Sequence, residues 1–342
     1  MKFFDLHCDT AYKCLRDNLS FSDNSLAVTQ QKSSAFNVWH QCFAVFVKDG
    51  TQNPFEYYKK TIENFKIELS DKKDNLTPIF TVENGNLIEN DISRIETLHN
   101  DGIRALTLTW NGENQIAGGA DTDTGLKNFG IEVINELNKF NIMVDLSHLN
   151  KKSFYSAIEY ANKPIITHSC LECVNANKRN IDDNQLDLLV QRGGLFGLCF
   201  YPVFLGEGNV FENIYKNIYH ILDKGYENYL SIGSDFDGAD MDASLCDISM
   251  VPILYRYLES KNINEKILEK IFFYNAYNFF QKGDFSFGGQ SLSKTSKRDS
   301  EMLSRLCFFL FYYESIKGFL KSSMVSSILG WMEASIPLTA AP

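Results

Sequence analysis

A chain of 342 residues, 44% hydrophobic and 13% aromatic, can bury the core of one large α/β domain or of two ordinary ones, which excludes a disordered or fibrous protein. Its formal net charge of −10 argues against nucleic acid or an anionic membrane as main partner, because both select clustered Lys and Arg, and favours a small molecule. No basic leader with an apolar h-region precedes Phe3, and eight cysteines are scattered through a chain too large to need disulfide staples, so the expected location is the cytoplasm, with mostly buried thiols.

The first apolar run, FFDLH at 3–7, reads as a strand and leads directly into Asp9. Strand side chains alternate, so His7 and Asp9 share one face and Cys8 takes the other. QCFAVFV at 41–47 follows, then FEYYKKTIENFKIEL at 55–69 with the 3.6-residue period of a helix. TPIFTVE at 77–83 ends in Glu83, IRALTLT at 103–109 runs into Trp110, and GLKNFGIEVINELNKF at 125–140 is again helical in pattern. IMVDLSH at 142–148 ends in His148, and PIITHS at 164–169 carries His168 one residue from its end. Cys170, Cys173 and Arg179 lie in the loop beyond, GLFGLCF at 194–200 precedes Tyr201, and a helical pattern covers 209–225. YLSIGSD at 229–235 ends in Asp235, and EKILEKIFFYNAYNFF at 265–280 reads as a closing helix.

Eight strands alternating with helices close most naturally into a (β/α)8 barrel, whose site is built at the C-terminal strand ends. An open doubly wound sheet is the alternative, and no GxGxxG turn after the first strand supports it. The expected barrel occupies 1–281; a Gly-, Ser- and Lys-rich linker covers 282–301; and 302–342 is a C-terminal extension. The extension's apolar run, Leu306 to Tyr313, is too short to span a bilayer, and a packed helix is preferred over a membrane-surface one.

In such a barrel the strand ends meet. Alone, His7 and Asp9 describe a hydrogen-bonded polar pair as readily as a metal claw. Yet three of the six histidines close strands, whereas His40 precedes one and His99 and His220 sit in helical patterns. Three imidazoles (His7, His148, His168) and two carboxylates (Asp9, Glu83) suit zinc or a similar divalent ion, and five ligands allow two ions bridged by a carboxylate. Arg179 is either a surface charge or a clamp for a substrate carboxylate. Asp235 is either a turn residue, with Asp237 as rival, or a proton relay. Cys170 and Cys173 form a lone CxxC without a second pair, and read as buried or loop thiols.

These residues resemble the membrane, or renal, dipeptidase family of zinc peptidases. The matching blocks are DLHCDT, TVENG, LTLTWNGEN, VDLSH, ITHS, the RN of NANKRN, GLFGLCFYPVFL and IGSDFDG, in family order over roughly 3–281. The resemblance implies a barrel with two zinc ions that hydrolyses dipeptides, often tolerating a C-terminal D-residue. It further implies that His7 and Asp9 hold one ion and His148 and His168 the other, with Glu83 bridging. Arg179 would grip the substrate carboxylate, Asp235 would handle the proton, and Tyr201 would lie near the substrate. The mammalian members carry a substrate-contacting histidine where this chain has Trp110, for which a pocket wall is the expected role. The segment from 282 onward has no counterpart in that family. Homodimers are common among such barrels, which admits one here by analogy only. Two rivals stay open: a barrel amidohydrolase acting on a cyclic amide or lactone, which usually shows HxH on its first strand, and a degenerate barrel that binds peptides without cutting them.

Overall fold

The structure is a computed structural model that describes residues 1–281. The expected linker and extension, 282–301 and 302–342, lie outside the described residues. The chain runs β1 (Lys2–Cys8), α1 (Thr10–Asp17), β2 (Val38–Phe46), α2 (Pro54–Glu68), β3 (Leu76–Glu83), α3 (Arg94–Asn100), β4 (Ile103–Thr107) and α4 (Asn128–Lys139). It continues β5 (Met143–Asp145), α5 (Lys151–Tyr160), β6 (Pro164–Ser169), α6 (Asp183–Gln191), β7 (Leu195–Leu198), α7 (Pro202–Leu205), α8 (Val210–Asp223) and β8 (Leu230–Ile232). Three further helices, α9 (Val251–Ser260), α10 (Glu265–Glu269) and α11 (Asn275–Gln281), complete the described chain.

All eight expected strands form, pair in parallel in sequence order, and close through Asp5 of β1 against Ile232 of β8. A closed (β/α)8 barrel leaves no strand edge, and its helices cover the outer face, so the strands are buried on both sides. The helices follow from their sequences. In α8, Val210, Ile214, Ile218 and Ile221 recur at helical spacing on the buried face, and the Asn209 side chain caps the start by accepting from the Glu212 amide. In α6, Asp182 and Gln185 form a reciprocal capping box.

Three expectations need correction. The run 265–280 is not one regular helix: a π-helical turn, Lys270–Tyr274, separates α10 from α11. Ile271, Phe272 and Phe273 are consecutive and all buried, which a single α-helical stripe cannot achieve; the wider turn delivers Phe272 to Phe3 and Phe273 to Phe4. His40 lies inside β2 rather than before it, with its ring against Phe4, Phe273 and Tyr277. Finally, β5 and β8 stop three residues short of their expected ends, so His148 and Asp235 stand in loops above the barrel. The cause at β5 is local. Asp145 accepts hydrogen bonds from the amide and hydroxyl of Ser147, a turn that takes the chain out of the ladder.

Candidate metal centre

The β1 strand delivers His7 to the barrel mouth, and Asp9 follows one residue beyond its end. The alternation holds: His7 Nε2 lies 3.3 Å from Asp9 Oδ2, while Cys8 joins the apolar cluster and donates toward the Cys42 carbonyl. Glu83, the last residue of β3, spans the mouth with its two oxygens. Oε2 lies 3.8 Å from His7 Nε2, whereas Oε1 lies 2.7 Å from His148 Nε2 and 3.8 Å from His168 Nε2. His148 and His168 bring their Nε2 atoms within 2.9 Å of each other, and Asp235 Oδ1 stands 3.8 Å from His7 Nε2. The structure thus gathers all five expected ligands and the expected proton carrier into one cluster. His148 and Asp235 reach it from left-handed backbone, φ 68° and 64°, which turns loop side chains back over the mouth. Non-glycine residues hold such conformations at a cost of about 1–2 kcal/mol each.

A supporting layer that the sequence reading did not single out fixes His148 and His168. Asp145 Oδ2 accepts from the hydroxyls of Thr107 and Thr167 at 2.7 and 2.6 Å, and its Oδ1 accepts from the Thr167 amide as well as from Ser147. Because the single Thr167 hydroxyl proton is committed to Asp145, its oxygen can only accept from His168 Nδ1, 2.9 Å away. His168 therefore carries its proton on Nδ1 and turns the Nε2 lone pair into the mouth. His148 Nδ1 lies 2.9 Å from Asn111 Oδ1, which fixes that ring in the same sense. On the opposite side Asp5 is the matching hub: it accepts from the amide and hydroxyl of Ser234 and from Gln41 Nε2. The only sequence signal for this layer is a small polar residue beside each ligand, in VDLSH, ITHS and IGSD. Two glycines let β6 sit where it does. A Cβ on Gly197 or Gly233 would fall 2.0 or 1.7 Å from the Thr167 carbonyl oxygen, inside any permitted contact.

The donors fit a cation. Two imidazole lone pairs and one carboxylate oxygen crowd together with no proton assigned between the rings, and buried Asp9 Oδ1 lacks a hydrogen-bond partner among the described residues. Burial, reinforced by the Arg179 charge, holds His148 well below the usual imidazole range, and burial with the His7 charge does the same to His168. Burial and the Asp9 charge push Glu83 well up. Burial also raises Asp235 to about 7, despite the opposing pull of His7. His7 goes the other way: burial lowers it, but Asp9, Glu83 and Asp235 outweigh burial and raise it to about 10. Burial thus keeps Glu83 and Asp235 from ionising readily and leaves His148 and His168 as neutral imidazoles, the form that binds a metal. The donors fall into three overlapping sets, Glu83 with His148 and His168, His7 with Asp9 and Glu83, and His7 with His168 and Asp235; Glu83 joins the first two. Nitrogen and oxygen donors of this kind suit a zinc-type divalent ion.

Above the cluster opens a cavity of about 570 Å³, within the range of small-ligand sites. Trp110, Arg179, Tyr201 and Asp235 all line it. Arg179 is not a surface charge: it is 6% exposed, lies over the Phe204 ring at 5.2 Å, and its Nε has no hydrogen-bond partner among the described residues. Trp110 forms wall, its ring 5.3 Å from Phe46 and 6.3 Å from His148. Tyr201 packs edge-on against Phe204 at 4.9 Å. Asp237, the rival to Asp235, is occupied elsewhere: it accepts from Thr10, from Lys13 and from the amides of Ala27 and Val28. Cys170 is buried against the Cys199 carbonyl while Cys173 is exposed.

The family model described as membrane dipeptidase (Peptidase family M19) matches residues 1–285. An uncharacterised protein in the pqqA 5′ region of Klebsiella pneumoniae is 27% identical over 196 residues, 53% of this chain and 72% of that protein. Dipeptidase verJ of Clonostachys rogersoniana is 30% identical over 205 residues, 57% of this chain and 52% of that protein. The match spans about half the length of this and three further curated relatives. Among solved structures, a metallopeptidase called dipeptidase AC superposes with a TM-score of 0.77 at 22% identity, covering 83% of this chain and 98% of that one. A Rhodobacter sphaeroides metallopeptidase liganded with a phosphinate mimic of the dipeptide L-Ala-D-Ala gives 0.76 at 20% identity, covering 83% and 99%. At these identities the two structures establish the shared fold. With the family match running through every strand and every residue of the mouth, the chain belongs to the membrane dipeptidase family.

Proposed function

We propose that this chain is a metal-dependent dipeptidase holding two zinc ions at the barrel mouth. The observation that carries the reading is the pair of adjoining donor sets sharing Glu83. His7 and Asp9 would hold one ion, His148 and His168 the other, and Glu83 would bridge. Bound there, zinc-type ions supply Lewis-acid polarisation of the scissile carbonyl and acidify water at neutral pH.

The chain's own residues account for the rest. Arg179, buried and lining the cavity, receives the dipeptide's terminal carboxylate, a charge-assisted contact that fixes which amide faces the mouth. Asp235, raised to about 7 by burial, accepts the proton of the attacking water and returns it to the departing amine. Its neighbour Cys199 Sγ, 3.7 Å away, and His7 hold that carboxylate in place. Trp110 and Tyr201 close the sides of the cavity and exclude water. The L-Ala-D-Ala mimic in the Rhodobacter sphaeroides structure supports tolerance of a C-terminal D-residue here. Seven free thiols among the described residues support a reducing, cytoplasmic setting; no described helix is long and apolar enough to cross a membrane.

Turnover of a panel of L,L- and L,D-dipeptides, with and without chelator, tests the reading. Chelator-sensitive cleavage of dipeptides with a free carboxylate is expected. Cleavage of cyclic amides or lactones alone would reassign the chain to the amidohydrolase alternative, and peptide binding without cleavage would make it a binding barrel.

A further inference from the structure

A second group of metal-binding side chains lies away from the mouth. We propose that Cys173, Asp183 and His220 form a separate metal site, taking one thiophilic divalent cation of the zinc type. The three come from different elements: Cys173 from the β6–α6 loop, Asp183 from the first residue of α6, and His220 from α8. One ligand atom from each lies within 4.8 Å of the others. None of the three lines the barrel-mouth cavity.

The geometry admits an ion with small movement. His220 Nε2 and Asp183 Oδ1 are 2.7 Å apart. Tetrahedral zinc with bonds of about 2.0 Å spaces nitrogen and oxygen ligands about 3.3 Å apart, so the pair must open by roughly half an ångström. At 33% and 46% side-chain exposure, both groups can do so. Neither is held by other duties: the N-terminal cap of α6 is Asp182, which also receives Lys151, leaving Asp183 uncommitted to capping. The nearby cation Lys224 is paired with Asp187 at 2.9 Å, so it does not fill the site. A thiolate and a carboxylate balance a dication, the neutral imidazole adds the third ligand, and the exposed fourth position is left to water. Cys246, the other exposed thiol among the described residues, belongs to no such group.

The loop that bears Cys173 is the loop that bears Arg179. Its base is closed by the Ile181 amide on the Cys170 carbonyl and the Glu172 amide on the Ile181 carbonyl. An ion at Cys173 would tie the outer part of that loop to α6 and α8, adding a cross-link between three elements.

The test uses the full chain loaded with two zinc ions, the barrel-mouth complement, and titrated with cobalt(II), whose thiolate-to-metal charge-transfer band reports cysteine ligation. The barrel-mouth donors are nitrogen and oxygen only, so they do not contribute this band. Wild type is expected to develop the band to saturation at one ion per chain. Cys173→Ser is expected to abolish it with dipeptide turnover unchanged, and Cys246→Ser to leave it intact. His220→Ala and Asp183→Asn are each expected to weaken cobalt binding at least about ten-fold. A band that survives Cys173→Ser, or an affinity unmoved by both His220→Ala and Asp183→Asn, overturns the proposal.

Discussion

Thr167 does not line the cavity, yet its hydroxyl decides which nitrogen of His168 faces the mouth. In Thr167→Val, nearly isosteric, three contacts disappear: the 2.6 Å bond donated to Asp145, the 2.9 Å acceptance from His168 Nδ1 and the 3.3 Å contact with the Ser147 hydroxyl. Loss of a hydrogen bond to a carboxylate costs about 1.5–3 kcal/mol, and a stranded buried N–H about 1–3 kcal/mol more, so a loss of about 2.5–6 kcal/mol in unfolding free energy is expected. Without the acceptor, His168 is free to move its proton to Nε2 and present a donor to the ion. Affinity at that site should fall about 10- to 100-fold, the usual cost of removing such a support. Thr167→Ser, which keeps the hydroxyl, should recover most of the metal affinity. Urea unfolding and zinc competition titrations on wild type and both variants supply the numbers. Wild-type zinc affinity in Thr167→Val, with stability lowered as expected, would refute the argument that this hydroxyl sets the tautomer.

Three more predictions rest on single residues. Asp235→Asn should lower kcat by about 10²- to 10⁴-fold while the barrel-mouth ions stay bound; steady-state kinetics beside metal analysis would expose a mere ligand role, because metal would then be lost in parallel. Arg179→Ala should raise KM for dipeptides with a free terminal carboxylate and leave C-terminally amidated analogues little changed; equal damage to both would remove Arg179 from carboxylate recognition. His40 is lowered by burial to about 4, so the folded chain binds fewer protons than the unfolded one between that value and about 6.5. Its stabilising share is whole above about pH 6.5 and fades as pH falls to 4, by up to about 3 kcal/mol. His40→Phe should flatten the difference in urea midpoint between pH 7 and 4.5, and an unchanged difference would contradict the sign.

Much of this was legible from residues alone, because strand alternation and strand ends carry the site. TPIFTVE and PIITHS end where their strands end and FFDLH one residue before, and their His7, Glu83 and His168 stand as expected. His148 and Asp235 reached the right cluster by a different route, since apolar continuity does not reveal where a carboxylate such as Asp145 captures the following amide and ends a strand. The π turn at Lys270–Tyr274 was hidden because its sequence carries helical period on both sides; only the need to bury Ile271, Phe272 and Phe273 together breaks it. The Asp145 and Asp5 hubs were hidden for another reason. Their partners Thr107, Thr167, Ser234 and Gln41 are ordinary strand residues in sequence, and only barrel closure brings β1 beside β8.

The central claim is that the barrel mouth holds two ions which together enable dipeptide cleavage. It is tested most directly by stripping the Cys173→Ser chain with chelator and returning zinc in steps, while bound metal and turnover of L-Ala-D-Ala are followed in the same sample. Binding that saturates at two ions per chain, with turnover absent in the stripped chain and complete only at saturation, is the predicted result. Saturation at one ion, or turnover that persists after the metal is gone, would contradict it.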